Sequence, residues 1–550
     1  MAASRESCHL PAQRCPSIRG ISLNKGDRGL PEPDITAIHK ALVDLVPRAE
    51  KSHADLIGTF VDTEPLFRFL SKRANQIIYG RRGTGKTHAL RYLAGIVEKH
   101  GDRAIYLDLR FVGSNGSIYG DGSRGLSERA SSLIRDVIAA IGDELYSLAV
   151  RLLEDAPDPR QITLRLDDLT QAIGEVTVTG TVERETTDGN TDFRTDKGSV
   201  GGKAAAFGPS AEFSFGFEDK SEVSAGHRFK TSGVETIHLD FGRVAACIDG
   251  LITVLGKHHI WLLLDEWSEV PIVLQPYLAD LLRRIVLPQS NITVKIAAIE
   301  QRSNMAISTE NGTRIGLELG ADIAAELKLD DFLVFANNQE KSVAFFRELL
   351  FRHFKSSPLA PDNVTTAEQL TGAVFTMAPA FEEFVRAVEG VPRDAIYIFE
   401  RLLTKAWGER FTKEHVRVAA RDWYNNEKSK ILRERRDLDV LMRRIVDDVI
   451  GKRRARAFFF PSNTRNAQID TLFDSRLLHV LKRNVSSHEE PGARYDVFKI
   501  DFGCYVDLQV TTRNTLGLYE NDDGSFVEVP RDDHRSIRRA ILHLDAGEVE

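Results

Sequence analysis

A run of glycines closed by a lysine and a hydroxyl residue, Gly80-Arg81-Arg82-Gly83-Thr84-Gly85-Lys86-Thr87, holds the residue types needed to grip a polyphosphate. The glycines let backbone N–H groups wrap a diphosphate, Lys86 reaches the β- and γ-phosphates, and the Thr87 hydroxyl is placed to ligate Mg²⁺. A helix starting at this point adds a field that favours anions, and His88 enters it beside the loop. Far along the chain, the apolar run Ile260-Trp261-Leu262-Leu263-Leu264 ends on Asp265-Glu266. There Asp265 would hold Mg²⁺ through water, and Glu266 would orient or polarise a water attacking the terminal phosphate. Lys86, Asp265 and Glu266 are thus the candidate catalytic residues, Gly80 through His88 the nucleotide contacts, Thr87 and Asp265 the Mg²⁺ ligands, and ATP with Mg²⁺ the expected cofactors.

These groups need elements that carry them to one place. Gln76-Ile77-Ile78-Tyr79 reads as a buried strand leading into the loop, and His88 to Leu93 as the helix leaving it, which is a P-loop in strand-loop-helix context. Ile260 to Leu264 reads as a parallel strand buried on both faces, with its two carboxylates at the carboxyl end where such sheets bind ligands. Ala104–Leu109, Ile292–Ile299 and Leu329–Phe335 read as further strands, separated by the helical patterns Leu126–Leu153, Val244–Leu255 and Tyr277–Ile285. Strands alternating with helices predict a parallel α/β sheet. A match to G-x-G-x-x-G at Gly120-Asp121-Gly122-Ser123-Arg124-Gly125 has no strand feeding it and reads as a flexible loop.

Composition bounds the class. The chain has 550 residues, 42% of them hydrophobic, enough for several cored domains. No apolar stretch approaches the roughly 20 residues that span a bilayer, and no signal-peptide pattern opens the chain, so a cytoplasmic protein without membrane contact is expected. Cys8, Cys15, Cys247 and Cys504 form neither a zinc pattern nor a disulfide framework. The net charge of −7 excludes a uniformly basic coat, although Lys428 to Arg456 is locally basic. A solvated helix laced with ion pairs explains such a segment as readily as nucleic-acid binding does.

The expected organisation is a disordered segment at 1–33, a nucleotide-binding domain at 34–335, a helical lid at 336–408 and a further domain at 409–550. The nucleotide-binding domain would contain a β-rich insertion at about 176–233, either a surface insertion or a partner-contacting hairpin. In the lid, Gly390-Val391-Pro392-Arg393 ends one helix and opens the next, leaving Arg393 in a first helical turn. In the last domain, a helix at Asp437–Ile450, a strand at Ala455–Phe460, helices over Ile469–Arg483 and a strand pair over Arg494–Asp507 read as a winged helix. Its recognition helix would be Ser475–Arg483.

Together, the P-loop (Walker A), the Asp265-Glu266 pair (Walker B) and the Gly390–Arg393 corner resemble AAA+ ATPases. The resemblance is to the initiator clade that includes origin-recognition-complex-like proteins, and it covers about residues 55 to 406. It implies an ATP site between neighbouring subunits of a homo-oligomer, with Arg393 as sensor 2 touching the γ-phosphate. It also implies a sensor 1 after the strand at Ile292, where Gln301 is the nearest chemical match. A trans arginine finger would be Arg302 or Arg314, with Arg314 favoured as the start of an outer helix. In such proteins the winged helix binds duplex DNA, which makes Arg476, Lys482, Arg483, Arg453 and Arg454 the candidate contacts.

Two functions follow. One is an ATP-binding and ATP-hydrolysing molecular switch that oligomerises and engages DNA, or a DNA-bound partner, through its winged helix. The other is a regulatory or scaffold ATPase of a bacterial conflict (antiphage, antiviral defence) system, whose winged helix packs within its own chain and which activates a separate effector protein. No His, Cys or acidic constellation outside the ATP site has ligand or triad spacing, so any effector chemistry would lie in that partner.

Overall fold

The computed structural model describes residues 34–45, 56–62, 65–112, 119–153, 158–174, 240–256, 258–308, 312–332, 338–453, 455–462, 464, 466–486, 492–511, 540–542 and 544. The expected disordered segment 1–33, the insertion at about 176–233, Cys8, Cys15 and Arg454 lie outside these residues. Among the described residues, no helix is long and apolar enough to cross a membrane.

Strands β1 (Gln76–Tyr79), β2 (Arg103–Asp108), β3 (Ile260–Asp265) and β4 (Ile292–Ala298) belong to one parallel sheet. After a small antiparallel pair, β5 (Ala306–Ser308) and β6 (Arg314–Gly316), strand β7 (Ala325–Lys328) completes it in the order β2-β3-β4-β1-β7. This five-stranded sheet fits an α/β P-loop fold. Strand β4 stands between β1 and β3, so the loop after β1 and the carboxylates after β3 open onto the same edge.

The apolar runs are explained by layers on both faces. Ile77, Ile105, Leu262, Leu264 and Ile296 pack against the helices Leu126–Leu152, Pro159–Gly174, Phe241–Leu255 and Gln275–Leu281. Their neighbours Ile78, Trp261, Leu263 and Ala297 point the other way, onto Leu90, Leu93 and Val97 of the helix Lys86–Lys99. Alternate side chains of a strand face opposite sides, so a strand covered twice has no polar face to spare.

One strand differs from expectation. Strand β7 ends at Lys328, and Leu329–Phe332 forms a helical turn instead of a strand. A short apolar run cannot separate strand from helix by periodicity, and here the turn is fixed by Asp330, whose carboxylate accepts from the Arg81 amide and guanidinium.

Beyond the sheet come the helices Gln339–Ser356, Ala367–Val374, Ala378–Ala387 and Pro392–Lys405. They pack around Phe346, Phe354, Phe375, Phe384, Phe399 and Phe411, and the early helix Ile35–Leu42 inserts Ile38 and Leu42 into the same core. That core runs without a break into the last part of the chain, through Leu438, Phe458, Phe473, Phe498 and Phe502.

The last part differs from the expected winged helix in two elements. Its helix, Ala467–Asp474, stops at Ser475, and Arg476 adopts a left-handed conformation at φ 63°. The residues expected to form the recognition helix instead make β9 (Leu478–Ser486), with Leu478 and Val480 buried and Lys482, Asn484 and Ser486 exposed. The expected return strand is a helix, Phe502–Thr511, following β10 (Arg494–Ile500). With β8 (Ala457–Pro461) these strands form an antiparallel sheet in the order β8-β10-β9. The helix between β8 and β9 carries Asp470 and Asp474 and neither lysine nor arginine.

Candidate nucleotide site

Strand β1 delivers the chain to Gly80, whose N–H donates to Ala298 O across the sheet at 3.1 Å. The loop then turns back through Gly83 and Gly85, at φ 92° and 93°, a left-handed region that costs an L-residue about 1–2 kcal/mol. Gly85 precedes the helix Lys86–Lys99, which directs the Lys86 side chain under the loop. Lys86 Nζ donates to Gly80 O at 2.7 Å and Arg81 O at 3.1 Å. Burial pushes its ammonium below the ordinary lysine range, against the pull of Glu266, Asp265 and Asp330. Thr87 is half-buried in the first turn of the helix, and Thr84 Oγ1 closes the loop by donating to Arg81 O at 2.9 Å.

Strand β3 brings the carboxylates. Asp265 is fully buried, accepting from Tyr106 Oη at 2.7 Å and from the Glu266 N–H at 2.8 Å. Glu266 takes a left-handed backbone at φ 55°, ψ 39°, a strained conformation that in non-glycine residues clusters at functional sites. Its carboxylate stands 3.9 Å from the guanidinium of Arg110, which is itself held by Asp108 at the end of β2, 2.6 Å away. Burial, and then the charge of Asp265, raise the Glu266 pKa above the ordinary carboxylate range. That shift suits a group taking a proton near neutral pH.

The helices beyond the sheet touch the loop directly. Pro392 opens the helix Pro392–Lys405, and the next residue, Arg393, donates its N–H to Gly83 O at 3.1 Å. A Cβ on Gly83 would lie 2.7 Å from Arg393 Cβ, so only glycine permits this approach. Adjacent Asp394 is 0% exposed and paired with Lys428 at 2.9 Å and with Arg476. Burial works against its charge, but the two cations outweigh it and hold its pKa below the usual range.

Several expected ligands point elsewhere. Arg81 is 3% exposed and bonds Asp330 and His479. Arg82 reaches outward to Glu269 at 2.7 Å. His88 bonds Leu56 O at 2.7 Å and packs edge-on against Phe60, and burial lowers its pKa, so it belongs to a helix interface. Gln301 sits on the helical turn Glu300–Arg302 after β4, half-exposed.

The arginines and lysines assigned to trans contacts or DNA are also redistributed. Arg302 pairs with Asp474 of its own chain. Arg314 begins β6 and not an outer helix, which removes the reason to prefer it as a finger. Arg476 pairs with Asp394, Arg483 with Glu300 at 3.2 Å, and Arg453 with Ile541 O at 2.6 Å. Lys482 is exposed on β9, and Arg454 lies outside the described residues. Within the basic segment, Lys430–Glu427, Arg443–Asp439 and Lys452–Asp448 are short-range helical ion pairs, as a solvated helix requires.

Sequence reasoning passed over Tyr106, Arg110 and Asp330, and placed His479 on the expected recognition helix. Tyr106 and Asp330 meet their partners 159 and 249 positions away, and His479 meets Arg81 across 398, so no local spacing announces them. Arg110 had a weaker local signal, two residues beyond Asp108 at the carboxyl end of a recognisable strand.

The model of the ORC-CDC6-like family matches residues 46–113, which contain β1, the glycine-rich loop, its helix and β2. No curated protein matches the chain. Over this segment the chain is similar to ORC-CDC6-like proteins, a likeness that supports an initiator-type AAA+ protein.

Proposed function

We propose that this chain is an ATP-binding and ATP-hydrolysing AAA+ switch that oligomerises and engages DNA or a DNA-bound partner through its C-terminal module. The observation that carries the proposal is the proximity of Lys86 to Asp265 and Glu266 at the carboxyl edge of the sheet, with the first turn of the Pro392–Lys405 helix resting on Gly83. The donor set suits a nucleotide with Mg²⁺: buried Lys86 lies within the field of buried Asp265 and half-buried Glu266, and the loop tolerates no side chain at Gly83. Thr87 and Asp265 would hold Mg²⁺, which supplies neutralisation of phosphate charge. Lys86 would exchange its two loop carbonyls for phosphate oxygens. Glu266 would accept a proton from the attacking water, with Arg110 orienting its carboxylate. Tyr106, donating to Asp265, would hold that carboxylate in place. Arg393 would meet the γ-phosphate from the lid, and the trans arginine remains between Arg302 and Arg314.

The regulatory reading, an ATPase of a bacterial conflict system acting on a separate effector, is favoured by one observation. The C-terminal module is bound to the nucleotide domain of its own chain, through Arg302–Asp474, Arg483–Glu300 and Arg81–His479. Two of the candidate DNA contacts, Arg483 and Arg476, are paired with carboxylates outside the module, Glu300 and Asp394.

Fluorescence anisotropy on labelled duplex DNA, with ATP, ADP or no nucleotide, separates the readings, using wild type and Glu266→Gln. Binding enhanced by ATP, retained in the variant and weakened by salt supports DNA engagement. Absence of binding in every state moves the function to the effector-activating scaffold.

A further inference from the structure

A buried chain of charged groups leaves the glycine-rich loop and returns to it through the C-terminal module. It starts at Arg81, whose backbone N–H and Nε both donate to Asp330, at 2.9 and 2.7 Å. Its Nη1 donates to Leu478 O at 3.2 Å and to His479 Nδ1 at 2.9 Å, and the guanidinium lies over the Phe473 ring, 4.7 Å from its centroid. A guanidinium only donates, so Nδ1 is the acceptor and Nε2 carries the His479 proton. That Nε2–H donates to Asp501 at 3.1 Å, and Asp501 also pairs with Lys428. Lys428 binds Asp394, which follows Arg393, and Arg393 donates to Gly83 O in the same glycine-rich loop. The circuit therefore closes, from loop to β9, to Phe502–Thr511 at its Asp501 cap, to the lid and back to the loop.

Three features argue that the circuit is built for position. Its charges balance, with the cations Arg81, Lys428 and Arg476 set against the carboxylates Asp330, Asp501 and Asp394. Lys428 enters it from a π-helical turn, Tyr424–Lys428, an irregularity often found at functional sites. A second strap runs beside it: Glu389, at φ 50° before the lid corner, pairs with Lys499 of β10 at 2.8 Å and with Arg456 at 3.3 Å. Arg81 O in turn accepts from Lys86 Nζ, so the circuit ends on the lysine expected to meet phosphate.

We propose that Arg81 and His479 are positioning residues of the nucleotide site, and that β9 of the C-terminal module completes this site in cis by fixing the loop through Arg81. The proposal rests on the nucleotide reading given above. Nucleotide affinity then depends on residues nearly 400 positions away that never touch nucleotide. Conversely, any partner that pulls β9 from the loop lowers nucleotide affinity, because linkage is reciprocal.

The test is titration of the full chain with a fluorescent ATP analogue and Mg²⁺, together with steady-state ATPase kinetics. The variants are Arg81→Ala, His479→Ala, their double and His479→Gln, with Thr471→Ala, which bonds only its own helix, as control. Each single alanine variant is expected to raise Kd and KM about tenfold or more while kcat changes little, and the double to add less than the sum of the two. His479→Gln, which offers an acceptor and a donor in one side chain, is expected to restore most of the affinity. Folded alanine variants that bind like wild type, or that lose only thermal stability, overturn the proposal. If His479→Ala fails to fold, an affinity of His479→Gln no better than that of Arg81→Ala overturns it. Wild type that binds no nucleotide overturns the nucleotide reading and this inference together, whereas wild-type binding with an insensitive circuit overturns the inference alone.

Discussion

Replacing Gly83 by alanine should detach the lid from the loop, and Gly85 supplies the matched control. Both residues have the same left-handed backbone, φ 92° and 93°, so the backbone cost of about 1–2 kcal/mol is common to the two alanine variants. Their surroundings differ. A Cβ on Gly83 would meet Arg393 Cβ at 2.7 Å and Val391 Cγ1 at 3.2 Å, whereas a Cβ on Gly85 meets nothing within 4 Å. Overpacking of this kind costs about 1–3 kcal/mol, and it falls on the contact holding the Arg393 N–H to Gly83 O at 3.1 Å. Hydrogen exchange followed by mass spectrometry reads that amide in peptides spanning Val391 to Ile396. Because 1.4 kcal/mol is tenfold, Gly83→Ala should exchange there roughly 5- to 150-fold faster than Gly85→Ala. Equal protection in the two variants would refute the reasoning, since it would mean that the lid does not rest on the loop at Gly83.

Glu266→Gln should lower the ATPase rate by about 10²–10⁴ while nucleotide binding persists, measured by phosphate release beside analogue titration. Because burial and Asp265 raise the Glu266 pKa, the wild-type rate should fall on acidification at a pH above the ordinary glutamate value of about 4.3, and the variant should lack that limb. Asp394→Asn should destabilise the chain by about 3–5 kcal/mol, seen as a lowered melting temperature, because Lys428 and Arg476 lose a buried partner. The folded pKa of Asp394 is depressed, so its stabilisation is full above about pH 3.9 and is lost as the pH falls through the folded value. Lys428 has the opposite sign, since its pKa is raised when folded: burial opposes this, but Asp394 and Asp501 outweigh it. Its contribution is full below about pH 10.4 and fades as the pH rises through the folded value. If a trans arginine completes the site, alanine at Arg302 or Arg314 should lower kcat by about 10³–10⁵ and abolish the dependence of ATPase rate on protein concentration. No change in either variant would remove both residues from that role.

The parts of this protein legible in its sequence are those whose physics is local. Gly80 to Thr87 announces a phosphate cradle because backbone turns, a lysine and a hydroxyl must occur at fixed spacing along one segment. Strands β1, β3 and β4 are legible because burial on both faces demands mostly apolar runs, broken here at Gln76, Thr293 and Lys295. Helix beginnings such as Pro392 are set by the proline itself. Leu478 to Arg483 was not legible, since a short apolar stretch suits helix or strand equally, and pairing with β10 decides for strand. The fates of Arg81, His88, Arg302 and Arg476 were likewise undetermined, because an arginine or histidine carries the same chemistry toward a phosphate, a neighbouring chain or a buried carboxylate. Only the tertiary structure brings Asp330 and His479 to Arg81, Asp474 to Arg302, Asp394 to Arg476 and Leu56 O to His88. Partner choice for a long charged side chain depends on which carboxylates the fold buries nearby, and burial of such a charge is tolerated only where a partner already waits.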